Sequence, residues 1–291
     1  MPELAEVEIV RQGLLKNLSL KSDSDLQNNH QANIDLKNTS QSFLQEVKLF
    51  RPDLRFRIPG KSLKKLIGEK LLTINRKGKY LIFEFENHVI LSHLGMTGNW
   101  RVQQQPDLKN HDHLFLKIAN RYFIYNDPRR FGYVDVCLAD SLGQNRFYKI
   151  LGPDPLLQQN IDSEVFQKIS NKQSPIRNVL LDQSVLCGVG NIYASEALFR
   201  AQINPLKPAA RLKMSHVSLL LKHIREILAE SILAGGSSID DFHSVDGIKG
   251  DFQNRHQVYD RKGQNCVLCN TKIKHKILTG RSVYWCPKCQ N

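Results

Sequence analysis

Apolar residues at Leu4, Val7, Val10, Leu14 and Leu18 recur at three- and four-residue steps and predict an amphipathic helix at the start of the chain. Pro2 sits where a first-turn proline is tolerated, because that N–H has no helical partner. Glu3 and Glu6 fall where the helix dipole favours carboxylates. From about Glu46 to Ala139 the period changes to two. Leu81, Phe83 and Phe85 share one face, as do Leu114, Leu116 and Ile118, and Val134, Val136 and Leu138. Such runs between polar turns predict antiparallel sheets packed on each other. The proline-rich string Leu151–Leu156 is a hinge candidate, and helical spacing returns after it. Ser174 is placed to cap a helix with Pro175 at its first position. Asn191–Arg200 reads as a second helix. Val217, Leu220, Leu221, Ile224, Ile227 and Leu228 predict a long one over Ser215–Ala234, ended by Gly235 and Gly236. Between the first helix and the strands, Ser19–Phe43 is rich in Ser, Asn, Gln and Asp, and is expected to be a mobile insertion that buries little.

The chain has 291 residues, enough for two domains with sizeable cores. No apolar run approaches the roughly 18 residues of a membrane span, and the N-terminus lacks a signal-peptide layout. The formal charge is +13, with an isoelectric point of about 9.5. An excess of this size favours a polyanionic partner, and nucleic acid leads. Membrane binding usually adds a basic amphipathic helix with exposed aromatic residues, and none is legible here. Cys137 and Cys187 stand alone, and the other four of the six cysteines cluster near the end. That is no disulfide framework, and it suits a reducing compartment.

Cys266 and Cys269 form one C-x-x-C pair, Cys286 and Cys289 another, with sixteen residues between the pairs. Each pair can place two thiolates on one metal, and the spacer is long enough for a β-hairpin. Four sulfurs make a closed tetrahedral site for one structural Zn2+, with no position left for a catalytic water. The competing reading is two fortuitous pairs or two disulfides. From Arg255 to the end, eight Lys and Arg residues face a single acid, Asp260. A basic zinc ribbon is suited to contacting phosphates.

The ribbon stands beside four further strings: Pro-Glu-Leu-Ala-Glu-Val-Glu at 2–8, His-Leu-Gly-Met-Thr-Gly at 93–98, Asp-Pro-Arg-Arg-Phe-Gly at 127–132, and Gly-Val-Gly-Asn-Ile-Tyr-Ala-Ser-Glu-Ala-Leu-Phe at 188–199. Each alone is weak. In this order they closely resemble formamidopyrimidine-DNA glycosylases, the bacterial base-excision repair family, over nearly the whole chain outside the polar insertion. The resemblance implies an α+β multi-domain fold. A two-layered antiparallel β-sandwich with its N-terminal helix would occupy 1–150, with the insertion at about 20–42. A helix–two-turn–helix DNA-binding domain and lesion-capping loop would follow over 151–262, and a four-cysteine zinc ribbon over 263–291. It also implies a bifunctional glycosylase and abasic-site lyase, monomeric and cytoplasmic, acting on damaged double-stranded DNA.

The site residues follow from the same resemblance. A methionine before proline is normally removed, which leaves Pro2 with a secondary amine; α-amino groups have a pKa of about 8, so a useful neutral fraction exists near pH 7. Attack of that amine on the sugar C1′ gives a cationic iminium, which acidifies the C2′ proton and drives strand-breaking elimination. Glu3 corresponds to the general acid for the sugar ring oxygen and Glu6 to a supporting acid. Lys79 and Arg281 match phosphate-gripping members of the catalytic set, and His111, Arg130 and Asn191 match further DNA contacts. Asn191 follows Gly188-Val189-Gly190 at a helix start, where free N–H groups suit a phosphate. Met96, Arg129 and Phe131 match a trio that fills the gap left when the damaged base leaves the stack, Arg129 donating to the orphaned partner base.

The sequence departs from the family pattern at Ala5, usually proline, at Asp260 in the string Tyr259–Gly263, and at Arg177, where lysine is common. The segment 235–252 corresponds to the family loop that closes over 8-oxoguanine, and its retention favours oxidised purines. The rival readings are an endonuclease VIII-type glycosylase for oxidised pyrimidines and a non-enzymatic zinc-ribbon DNA-binding protein.

Overall fold

The two-residue alternation becomes two antiparallel four-stranded sheets. In the computed structural model, which describes residues 1–19, 42–238 and 243–291, one sheet has the order β1 (Leu44–Leu49), β6 (Asp112–Ile118), β7 (Arg121–Asn126), β5 (Asn99–Gln103). The other has the order β2 (Leu71–Lys77), β3 (Tyr80–Phe85), β4 (His88–His93), β8 (Tyr133–Leu138). Leu81, Phe83 and Phe85 of one sheet and Leu114, Leu116 and Ile118 of the other join a single core, as their alternation predicts. Full burial of such a side chain contributes roughly 1.5–3 kcal/mol relative to exposure, so one face per strand sets the register. Trp100 lies at the centre, its ring 5.1 Å from Phe83 and 5.2 Å from Tyr125. Its indole N–H donates to Ser92 Oγ at 3.0 Å, so the buried donor is satisfied. Val7, Val10, Leu14 and Leu18 of α1 (Leu4–Ser19) complete this core, joined by Leu63 of the short α2 (Gly60–Lys65).

The chain divides into two compact units. The sandwich unit comprises residues 1–2, 6–149 and 237–250; the helical unit comprises 3–5, 150–236 and 251–291. The helical unit contains α3 (Asp162–Ile169), α4 (Ile176–Leu180), α5 (Asn191–Arg200) and α6 (Met214–Leu233), and the hairpin of β9 (Lys274–Leu278) and β10 (Arg281–Trp285). The six apolar positions predicted for the long helix are all buried. That helix stops where Gly235 and Gly236 take φ of 77° and 84°, a conformation open to glycine. Among the described residues, no helix is long and apolar enough to cross a membrane.

Three local expectations are corrected. The first helix starts at Leu4, so Pro2 and Glu3 precede it; the Leu4 N–H donates to Gly188 O at 3.1 Å. Pro175, not Ser174, caps α4: its ψ of 135° is extended, because the segment bridges Pro208 and the Ile176 N–H donates to Lys207 O at 2.8 Å. Leu138 is 52% exposed, since it ends β8 opposite the first residue of β4, where the sheet runs out. The expected insertion at about 20–42 lies, but for its last residue, outside the described residues, as do residues 239–242 of the capping segment.

Candidate functional site

In the sandwich unit a cavity of about 840 Å³ is lined in part by Met1, His93, Met96, Arg129, Arg130 and Phe131. The sequence-selected trio therefore shares one concavity with the residue that precedes Pro2. Met96 and Phe131 are 38% and 46% exposed, unlike the core residues around them. The Arg129 guanidinium lies 5.0 Å from the Phe131 ring centre. One buried carboxylate shapes this loop. Asp127 accepts from Thr97 Oγ1 at 2.6 Å and from the Gly132 N–H at 2.7 Å, and the Arg129 N–H donates to Thr97 Oγ1 at 3.2 Å. The Asp127 N–H donates to His111 O at 3.1 Å, joining the two loops that carry His111 and Arg130. Both residues are exposed and take positive φ, 70° and 59°. The loop of His111 is organised by Asp112, whose carboxylate accepts from Arg101, Asn126 and the Lys109 N–H.

Elsewhere in the same unit, Glu6 is buried and accepts from the Ser237 N–H at 2.9 Å, which fixes one end of the segment resembling the capping loop. Lys79 follows Gly78 in the turn between β2 and β3 and is largely buried. His93 was not singled out by sequence, yet it lines the cavity. Burial, then the charges of Lys79 and Arg55, push its pKa down to about 4. Its Nδ1 accepts from the Gly95 N–H at 2.9 Å, so the neutral ring carries its proton on Nε2 and can donate.

In the helical unit the Glu3 carboxylate sits at the start of α5, accepting from the Ile192 N–H at 3.0 Å and the Tyr193 N–H at 3.5 Å. Gly190 makes this possible: a Cβ there would overlap the Glu3 carboxylate. The glycine string thus admits an acid side chain at the helix start. Charge-assisted bonds of this kind stabilise an ionised carboxylate. Asn191 opens α5. Its Oδ1 accepts from Arg177 Nη2 at 2.6 Å, and its Nδ2 donates to Ser282 O at 3.0 Å, next to Arg281. Arg177 is fully buried and also donates to Ser282 O. Burial, then the charge of Arg281, lowers its pKa to about 10. Tyr259, a second residue missed by sequence, bonds Asn191, and burial followed by the Glu3 charge raises its hydroxyl pKa to about 12. Asp260 takes φ of 58°, a conformation that suits glycine and that aspartate tolerates better than most residues.

The four clustered cysteines have Sγ atoms within 4.8 Å of one another. Cys266 and Cys289 are 3.9 Å apart, and Cys269 and Cys286 3.4 Å. A disulfide needs about 2.05 Å, whereas sulfurs of a tetrahedral zinc–thiolate site lie about 3.8 Å apart, from a Zn–S bond of ~2.3 Å. Backbone N–H groups of Leu268 and Cys289 point at Cys266 and Cys286 sulfur, as suits thiolate acceptors. The donor set therefore fits a metal ion and not a pair of disulfides.

Residues 1–134 match the model of the formamidopyrimidine-DNA glycosylase N-terminal domain, and residues 151–243 that of the formamidopyrimidine-DNA glycosylase H2TH domain. A formamidopyrimidine-DNA glycosylase of Bdellovibrio bacteriovorus is 42% identical over 291 residues, covering all of both chains. Among solved structures, a Lactococcus lactis FPG variant in complex with Fapy-dG containing DNA aligns over all of both chains with a TM-score of 0.83 and 32% identity. MutM in complex with carbocyclic 8-oxo-G containing DNA aligns equally fully, with a TM-score of 0.82 and 32% identity.

Proposed function

Because the chain belongs to the formamidopyrimidine-DNA glycosylase family, we propose that it excises oxidised purines, 8-oxoguanine and formamidopyrimidines, from duplex DNA and then cleaves the strand through the amine of Pro2. It is a base-excision repair DNA glycosylase, and abasic-site lyase activity is a general property of the family. The observation that carries the Pro2 reading is that Met1 lines the same cavity as Met96, Arg129 and Phe131. Removal of Met1 then leaves a secondary amine at the edge of the concavity whose walls would fill the vacated helix.

The chemistry proceeds from those groups. The amine attacks C1′ as the base departs, and Glu3 gives a proton to the ring oxygen, opening the sugar as an iminium. Loss of the C2′ proton then expels the 3′ phosphate, loss of the C4′ proton expels the 5′ phosphate, and water finally hydrolyses the iminium to release the sugar remnant and restore the Pro2 amine. Glu6 supports the site through Ser237. Lys79, Arg281 and Asn191 grip the kinked backbone, and His111 and Arg130 extend the contact. Met96 and Phe131 fill the gap, and Arg129 donates to the orphaned base. One Zn2+ held by Cys266, Cys269, Cys286 and Cys289 is structural, folding the ribbon that presents Arg281. The division into a catalytic domain to 150, a helical domain to 262 and a zinc finger belongs to the same reading, as do a monomeric state and a bacterial cytoplasmic, nucleoid-associated location.

Strand cleavage of two duplexes tests it, one with 8-oxoguanine opposite cytosine and one with thymine glycol. Preferential cleavage of the first is expected. Preference for thymine glycol would make the protein an endonuclease VIII-type enzyme, and binding with no cleavage of either would make it a non-enzymatic module.

A further inference from the structure

A buried chain of ion pairs in the sandwich unit runs from α1 to the turn that carries Lys79. Glu8 lies in the second turn of α1. Its carboxylate accepts from Arg11 Nη2 at 2.7 Å, Arg76 Nε at 2.9 Å and Gln12 Nε2 at 3.0 Å. Burial works against the charge on Glu8, but the Arg11 and Arg76 guanidiniums outweigh it and hold its pKa below the usual range. Arg76, next to last in β2, turns its other end to the β2–β3 turn: Nη1 donates to Gly78 O at 3.1 Å. Gly78 has φ of 58°, and Lys79 follows it directly. Arg11 adds a second tie, donating to Ile74 O of β2 at 3.3 Å.

Only 1% of the Arg76 side chain is exposed, so it has no surface to offer a nucleic acid. Stability alone is a poor account of it, since buried ion pairs are often replaceable by apolar packing at no loss. Its geometry does something that apolar packing would not: one guanidinium grips a helix carboxylate and a turn carbonyl together. The lysine that the turn presents has a flexible four-carbon stem, so the turn decides where its ammonium can go.

We propose that Glu8 and Arg76 are positioning residues, bracketing the β2–β3 turn to α1 so that Lys79 meets a substrate phosphate. This rests on the reading of Lys79 given above. α1 starts two residues after Pro2, so the same bracket ties the lysine turn to the helix that follows the amine.

The test compares Lys79→Ala, Arg76→Met, Glu8→Gln and the double variant Arg76→Met with Lys79→Ala, in the zinc-loaded full chain with Met1 removed. The readouts are the nicking rate on a preformed abasic duplex and the slope of log DNA affinity against log salt. Lys79→Ala should lower the slope by about 1. Arg76→Met should lower it by a similar amount although it touches no phosphate, and slow nicking by about 10- to 100-fold, as a misplaced group does. In the Lys79→Ala background it should add little, because both act through one ammonium. Glu8→Gln, nearly isosteric, should show the same pattern more weakly, and it decides the matter if Arg76→Met fails to fold. Multiplicative losses in the double variant, or an unchanged slope in both Arg76→Met and Glu8→Gln while Lys79→Ala changes it, would make the chain merely structural. If Lys79→Ala alters neither readout, the reading of Lys79 falls and this inference with it.

Discussion

Glu3 holds the most constrained position in the proposed chemistry. It is one residue from Pro2, buried, and hydrogen-bonded to the first turn of α5 through space that Gly190 leaves open. If it supplies the proton that opens the sugar, Glu3→Gln keeps the shape and removes the proton source. Excision of 8-oxoguanine should fall by roughly 10²–10⁴-fold, the usual contribution of a positioned acid. Nicking of a preformed abasic site should persist, because that step depends on the iminium more than on the acid. Equal loss of both activities would assign Glu3 to binding or folding. At this scale the sequence was informative where chemistry is written in neighbouring letters, as in Pro2 with Glu3 or the C-x-x-C pairs. His93 and Tyr259 each open a motif string, but nothing in those strings marks them with a chemical role. His93 earns attention only through a cavity wall and a pKa depressed mainly by burial, and Tyr259 only through Asn191, which is 68 positions away in the chain.

The elements were legible in proportion to their periodicity. α6 and the strands carrying Phe83 and Leu116 turn the predicted apolar face into a core, so those faces could be read directly; that β3 and β6 also bury Ile82 and Phe115 on the opposite face could not. Single-residue boundaries could not. Pro175 is drawn into an extended conformation by a partner at Pro208, and Leu138 is exposed because a sheet ends there. The loops that carry His111 and Arg129 are shaped by Asp112 and Asp127, whose partners lie outside any local period. The zinc ribbon is the element most dependent on one interaction. Its apolar cluster is small, with Val258, Ile273 and Tyr284 beside Phe199 and two of the cysteines, so a metal held by the four cysteines would supply a large part of its folding free energy. Cys269→Ser should therefore lose the metal, counted by a colorimetric zinc assay, and lose most DNA affinity while the sandwich strands keep their β circular dichroism. Full affinity in a metal-free protein would detach the ribbon from DNA binding.

Across the whole molecule, two histidines with depressed pKa values, the half-buried His93 and the buried His256, set an acid limit. Burial holds both His93 and His256 at a pKa of about 4, against about 6.5 in an unfolded chain. The unfolded state then binds more protons between those values. Stability should fall as pH drops from about 6.5 toward about 4, and these two groups should add nothing further below that. Urea midpoints at pH 7, 5.5 and 4.5 test this; His256→Phe should flatten part of the trend, and a midpoint constant from pH 7 to 4.5 would contradict it. The basic excess of +13 accounts for affinity to DNA in general and leaves the reaction unassigned. That rests on the nature of the nucleophile. An amine makes an iminium, which borohydride reduces to a stable covalent amine; a glycosylase that activates water leaves nothing to trap. Borohydride added during turnover of an 8-oxoguanine duplex should fix the protein to DNA, with the bond mapping to the peptide that begins at Pro2, and a retained Met1 should abolish the adduct while leaving DNA binding largely intact. An adduct that maps to Lys79, or that forms with the N-terminus blocked, would contradict the account and move the nucleophile to a lysine.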